Sequence, residues 1–184
     1  MKIASWNVNS LKVRLPQVLD WINLNQPDVL CLQETKQNND NFPHDVFEKR
    51  GLFSYHNGQN TYNGVAIISN KELIDVQFDI PNFYDEQKRL ISGIYPNDED
   101  PKFRVISAYI PNGQSLNSDK FEYKMNWLKS FINFLQTKID GIENIITGDF
   151  NIAPTTLDCY DSKSWDGKIL VSPQEREYFD KLLN

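Results

Sequence analysis

The chain reads as an α/β protein, and three features of the sequence carry that reading. Short apolar runs of strand character stand at 3–8, 29–34, 103–110 and 145–149. Further strand-like runs fill the middle of the chain between turn-forming residues, and one long segment, 118–139, keeps a helical apolar period instead. At 184 residues the length suits one domain with a substantial core, so a single domain over 1–184 is expected.

Taken in order, Ile3 to Val8 alternates as a strand, with Ile3, Ser5 and Asn7 on one face. Leu15, Val18, Leu19 and Ile22 then follow helical spacing, which predicts a helix over 15–25 with Pro16 in its first turn and Gln26-Pro27-Asp28 as its stop. Val29-Leu30-Cys31-Leu32 is nearly all apolar and fits a strand buried on both faces. A polar loop and a short helix over 43–50 follow. Strand-like runs at 53–57, 64–69, 73–79, 89–95 and 103–110, parted by Asn-Gly, Pro-Asn and Asp-Glu-Asp turns, predict an antiparallel middle. From 118 to 139, Phe121, Met125, Leu128, Ile132, Leu135 and Ile139 are spaced as one helical face, with Ser118 or Asp119 placed to cap its start. Gly141 leads into the last strand, and 173–183 reads as a final helix. His44 and His56 read as surface or loop residues.

Composition narrows the function classes. A net charge of −6 speaks against a broad basic surface for nucleic acid, although a local patch and a divalent cation can still hold a phosphate backbone. The first residues lack the apolar core of a signal peptide, and no run reaches membrane-spanning length. Two cysteines, one inside an apolar strand, do not make a disulfide framework, so a soluble, reducing compartment, the cytoplasm, is the expectation.

The chemistry gathers at the strand ends. The stretch Ile145-Ile146-Thr147-Gly148-Asp149-Phe150-Asn151-Ile152-Ala153-Pro154 places a carboxylate and an amide two residues apart directly after a buried strand. The same Gly-Asp-Phe-Asn also suits an ordinary turn. Glu34 closes another buried strand, where it needs a cation or donors unless it has emerged into solvent. With Asn7 and Tyr109 finishing two more, four polar strand ends suggest one cleft. Two carboxylates with neutral amides and no Cys/His cluster form the oxygen-rich set that Mg²⁺ or Mn²⁺ prefers. Phosphoester hydrolysis is the chemistry this points to: the metal stabilises phosphate charge while a carboxylate aligns or deprotonates the attacking water.

Trp6-Asn7-Val8-Asn9, Leu32-Gln33-Glu34-Thr35-Lys36, Gly64-Val65-Ala66, Tyr109-Ile110-Pro111-Asn112-Gly113 and Gly148-Asp149-Phe150-Asn151-Ile152-Ala153-Pro154 occur in the order of the endonuclease/exonuclease/phosphatase superfamily. Gln-Glu-Thr-Lys and the Gly-Asp-Phe-Asn ending most resemble its exonuclease III branch, abasic-site endonucleases and 3′-exonucleases of DNA repair. Trp165-Asp166-Gly167-Lys168 and Ser172-Pro173-Gln174-Glu175-Arg176-Glu177 resemble the same branch. The resemblance implies a four-layer α/β/β/α sandwich of two mostly antiparallel sheets, acting on double-stranded DNA with abasic sites or 3′ ends. By it, Glu34 is a metal ligand with Asn7 close to metal and phosphate, and Asp149 positions or activates the water. Asn151 holds the phosphate or Asp149, Tyr109 contacts the scissile phosphate, and Lys36 and Arg89 are backbone contacts, with surface charge the alternative for each.

Members of that branch continue beyond the Ser-Pro-Gln-Glu-Arg-Glu segment with further strands, a DNA-binding loop and a Ser-Asp-His near the end, whereas this sequence stops at Asn184. The resemblance therefore implies a chain truncated at its C-terminus, with an incomplete second sheet whose edge needs a partner chain, a swapped element or a rearrangement. Two other readings compete: a sibling acting on lipid or inositol phosphates, and a non-catalytic remnant that keeps the fold.

Overall fold

The computed structural model describes residues 1–96, 102–137 and 142–183. It divides into two compact units, Met1–Tyr109 with Lys138–Asp149, and Ile110–Thr137 with Phe150–Asn184.

The first unit holds β1 (Ile3–Asn7), α1 (Leu11–Asn25), β2 (Val29–Gln33), α2 (His44–Glu48), β3 (Phe53–Asn57), β4 (Val65–Ser69), β5 (Ile74–Phe78), β6 (Leu90–Tyr95), β7 (Lys102–Tyr109) and β8 (Ile142–Asp149). These strands form two four-stranded sheets, ordered β1-β2-β4-β3 and β5-β6-β7-β8. The pairs β2–β4, β3–β4, β5–β6 and β6–β7 are antiparallel, while β1–β2 and β7–β8 are parallel and so need long crossovers; α1 supplies the first. Strand alternation sorts the core. Leu30, Leu32, Ala66 and Ile68 face outward and pack under Leu11, Val18 and Ile22 of α1. Val29, Cys31, Val65 and Ile67 face the other way and meet Ile91, Phe103 and Val105 of the second sheet, so the two sheets lie face to face. Every residue of β2 is buried, as its unbroken apolar run requires.

Two expectations are corrected here. Helix α1 starts at Leu11 rather than 15, which puts Pro16 inside the helix and not in its first turn. The start carries no sequence signal because Ser10 makes no side-chain cap. It is set instead by backbone bonds to the chain after β2, from Ser10 N–H to Glu34 O (2.7 Å) and Leu11 N–H to Thr35 O (3.0 Å). His56 is not a surface residue: it is buried in β3, stacked on Phe42 with ring centroids 4.1 Å apart, and its Nε2 shares a 2.8 Å hydrogen bond with Thr35 Oγ1. Burial pushes its pKa down to about 3, with the charge of His44 adding to the effect.

The second unit contains α3 (Asp119–Gln136), the short α4 (Ser162–Trp165) and α5 (Pro173–Leu183), with α3 packed on α5. Ser118 caps α3, its hydroxyl accepting from Phe121 N–H at 3.2 Å. Phe121, Met125, Trp127, Leu128 and Phe131 form its buried face. Ile139, Gly141 and the Asp-Glu-Asp turn at 98–100 lie outside the described residues. Both cysteines are free, and no helix of the described residues is long and apolar enough to cross a membrane.

Candidate active site

In the first unit the ends of β1, β2, β7 and β8 meet. Asn7 closes β1, Glu34 follows β2, and Tyr109 and Asp149 are register partners at the ends of the parallel pair β7–β8. The Asn7 amide joins the two carboxylates: its Nδ2 donates to Glu34 Oε1 and to Asp149 Oδ2, each at 2.8 Å. Its orientation is fixed from behind, because Asn9 N–H donates to Asn7 Oδ1 at 3.0 Å and so turns the NH₂ toward the carboxylates. Beneath this row lies a closed polar layer in which Gln33 Nε2 donates to Ser5 Oγ and Ser107 Oγ, both at 3.1 Å.

The turn after β2 is held under strain. Glu34 and Lys36 both sit at φ 53°, a left-handed conformation that costs a non-glycine residue about 1–2 kcal/mol. Thr35 N–H and Lys36 N–H bond Gly64 O (3.1 Å) and Asn63 O (2.9 Å), which keeps the turn in place. Gly64 is obligatory there: at φ +90° a Cβ would lie 2.1 Å from Thr35 Oγ1. The turn delivers Lys36 Nζ to Glu34 Oε2 at 3.0 Å and to Asn9 Oδ1 at 2.5 Å.

Charge is matched within the cluster. Burial works to raise the Glu34 carboxyl, but the donors Asn7, Lys36 and Tyr109 together hold it below its ordinary value. Tyr109 is pushed up to about 12, first by burial and then by the charge of Glu34 and its hydrogen bond to it, with Arg89 pulling the other way. The phenol therefore keeps its proton at any physiological pH. Arg89 lies over the Tyr109 ring, 4.8 Å from the centroid, and donates to Tyr109 O at 3.2 Å, while its buried Nε–H has no protein acceptor.

The donor set fits a hard divalent cation. Among the described residues no three His, Cys, Asp or Glu side chains gather into a cluster, and Mg²⁺ needs only one or two protein carboxylates beside water and phosphate. Glu34 already presents Oε2 to a cation, the Lys36 ammonium. Glu34 and Asp149 are the residues that could hold such an ion; Asn7, expected as a ligand, instead turns its NH₂ to both carboxylates and its oxygen to Asn9 N–H, so it orients them.

Asn151 belongs to the second unit. It sits at φ 47°, its Nδ2 donates to Ile110 O at 2.9 Å, and its Oδ1 accepts from Asn112 Nδ2 at 3.3 Å. The sequence analysis assigns no role to Asn9, which orients Asn7 and holds Lys36, or to Asn112, which holds Asn151, although both lie in the quoted Trp-Asn-Val-Asn and Tyr-Ile-Pro-Asn-Gly motifs. It also missed Lys124, though a signal existed: with Phe121, Met125 and Leu128 it completes an i, i+3, i+4, i+7 set, a charge in the middle of an apolar stripe.

A family model described as "Endonuclease/Exonuclease/phosphatase family" matches residues 4–170. The chain belongs to this family. Among curated relatives, exodeoxyribonuclease III of Haemophilus influenzae is 33% identical over 99% of this chain and 71% of its own length. Among solved structures, the Neisseria 3′ phosphatase NExo, bound to a product DNA hairpin, superposes with a TM-score of 0.94 and 42% identity, over all of this chain and 70% of that one. An AP endonuclease from Archaeoglobus fulgidus follows at 0.89 and 33%, again over all of this chain and 70% of that one. The expected fold class, α/β with two mostly antiparallel sheets and flanking helices, is the one found, and each sheet is mixed, with one parallel pair beside two antiparallel ones. Enzymes of the family are hydrolytic and depend on divalent metal.

Proposed function

We propose that this chain is a Mg²⁺- or Mn²⁺-dependent DNA phosphodiesterase of repair, acting at 3′ termini and abasic sites of double-stranded DNA. The observation that carries the reading is the Asn7 amide joined to Glu34 and Asp149 at once, beside a protonated Tyr109 and a cationic Lys36 and Arg89.

The bound cation would be held by Glu34, with the Asn7 amide orienting that carboxylate, and would neutralise charge on the phosphate. The remaining work falls to the chain's own side chains. Asp149 accepts the proton of the attacking water or aligns it, and the amide on its Oδ2 fixes the direction of its lone pairs. Tyr109 offers a hydroxyl that stays protonated, so it can donate to a phosphate oxygen as negative charge grows there. Lys36 and Arg89 supply positive charge for the DNA backbone, and Asn151 is assigned to the phosphate. These local cations are how a chain of net charge −6 holds a polyanion.

Identity to the Neisseria 3′ phosphatase (42%) exceeds that to the archaeal AP endonuclease (33%), which favours 3′-end processing over internal incision. The test is a substrate panel with Mg²⁺: a duplex with a recessed 3′ phosphate, the same duplex with a 3′ hydroxyl, a duplex with an internal abasic analogue, and an inositol phosphate. The expected order puts the 3′-phosphorylated duplex first and the inositol phosphate at background. Preferential hydrolysis of inositol phosphate would overturn the reading.

A further inference from the structure

Within the second unit one charged pair has no place in the proposed chemistry, yet it is the most deeply buried ion pair among the described residues. Lys124 and Glu175 are both 0% exposed, with Nζ 2.5 Å from Oε1. Each is saturated by a different kind of partner. Glu175 Oε1 also accepts from Leu170 N–H at 3.0 Å, and its Oε2 accepts from Ser172 N–H (3.1 Å) and Ser172 Oγ–H (2.7 Å). Lys124 Nζ donates to Asn151 O at 2.7 Å and Asn112 O at 3.3 Å as well, three acceptors for three N–H donors. Its stem runs so close to Gly113 that a Cβ there, at φ +88°, would lie 3.1 Å from Lys124 Cδ.

A buried ion pair is a poor stabiliser, since desolvation of the two ions offsets their attraction and apolar residues of the same volume do as well. What an apolar pair cannot do is reach for carbonyls. The ammonium here converges on the backbone oxygen of Asn151, the residue placed at the substrate in the reading above, and on that of Asn112, whose side chain holds the Asn151 carboxamide. The rest of the turn is pinned from the same segment as Glu175: Ala153 N–H donates to Leu170 O at 2.7 Å, and Arg176 Nε–H donates to Ala153 O at 3.0 Å. The left-handed backbone of Asn151, at φ 47°, is a conformation that needs such support.

We infer that Lys124, locked by Glu175, is a positioning residue for catalysis: it clamps the 151–153 turn through the Asn151 carbonyl and so sets where the Asn151 carboxamide stands. The inference rests on the reading of Asn151 as a phosphate-contacting residue. Lys124 touches no substrate, so its effect passes through Asn151 and is read as kcat rather than KM.

The test uses Lys124→Met, which keeps the stem, and the double variant Lys124→Met with Glu175→Gln, which leaves no uncompensated charge. Two readouts are taken on the full chain after cooperative urea unfolding confirms that the double variant folds. The first is hydrogen exchange of the Asn151 side-chain NH₂ by NMR, assigned with Asn151→Asp. The second is removal of a 3′ phosphate from duplex DNA with Mg²⁺, in native and Asn151→Ala backgrounds. The inference predicts faster exchange, a kcat reduced about tenfold or more with KM within about threefold, and a change under about threefold once Asn151 is already alanine. An equal loss of kcat in both backgrounds would overturn it, because the pair then acts elsewhere. Unchanged exchange in the folded double variant would overturn it without any turnover being needed. Full activity in Asn151→Ala, with exchange still altered by the clamp variants, would instead remove the reading of Asn151 on which the catalytic role rests, and the positioning role with it.

Discussion

Replacing Asn7 by alanine removes one NH₂ and with it two hydrogen bonds to carboxylates, each 2.8 Å long. A bond to a charged group contributes about 1.5–3 kcal/mol, and water can enter this half-buried site to replace part of it, so a net loss of about 1–3 kcal/mol at pH 7 is expected. For a chain of this length that corresponds to a Tm lower by about 2–12 °C. The pH dependence is the sharper signature. Donors that favour the ionised carboxylate lower the folded pKa of Glu34, so the stability they contribute is present above the ordinary value of 4.5 and is lost as pH falls through the depressed folded value. Urea unfolding of the two proteins between pH 3 and pH 8 should show a gap that is widest and flat above about pH 6 and closes on the acid side of 4.5. The buried His56 is common to both proteins and cancels in the difference. A gap independent of pH, or one that widens in acid, would refute the claim that the Asn7 amide acts on ionised carboxylates.

Three further outcomes follow from the same geometry. Glu34→Gln should weaken Mn²⁺ or Mg²⁺ binding by about tenfold or more in calorimetric titration, because a neutral amide replaces the carboxylate offered to the cation; unchanged affinity would contradict it. His56, with its pKa near 3, should show no imidazole titration between pH 5 and 8 by NMR, and its contribution to stability should be present above 6.5 and fade as pH falls toward 3; a midpoint near 6.5 would contradict it. Gly148→Ala should cost about 3 kcal/mol or more in urea unfolding, because at φ +152° the new Cβ would lie 2.0 Å from Ala108 O and force β8 away from β7; a loss under about 1 kcal/mol would contradict it.

The elements that pattern alone specifies were legible. The unbroken apolar run of β2 gave a strand buried on both faces, and the 4-3-4-3 spacing after Ser118 gave α3 and its cap. The four polar strand ends were legible too, because a Glu or Asp at the end of a buried strand is costly without partners. What was not legible depended on contacts distant in sequence. The start of α1 is set by bonds to the carbonyls of Glu34 and Thr35, which no cap residue announces, so Pro16 was misplaced. His56 lies in β3, whose own pattern is weak, and its burial is decided by Phe42 and Thr35. The Lys124–Glu175 pair joins positions 51 residues apart; Lys124 interrupted an apolar stripe, but its partner could not be named from that alone.

We propose hydrolysis of DNA phosphoesters by this chain with a divalent cation and the carboxylate of Asp149. The most direct measurement is release of phosphate from a duplex bearing one 3′ phosphate, using folded, monodisperse protein with Mg²⁺, with EDTA, and with Asp149→Ala in Mg²⁺. Turnover is expected only in the Mg²⁺ sample of the unsubstituted chain, with a loss of about a hundredfold or more in the variant. Turnover that survives EDTA or Asp149→Ala, or none in any sample, would contradict it.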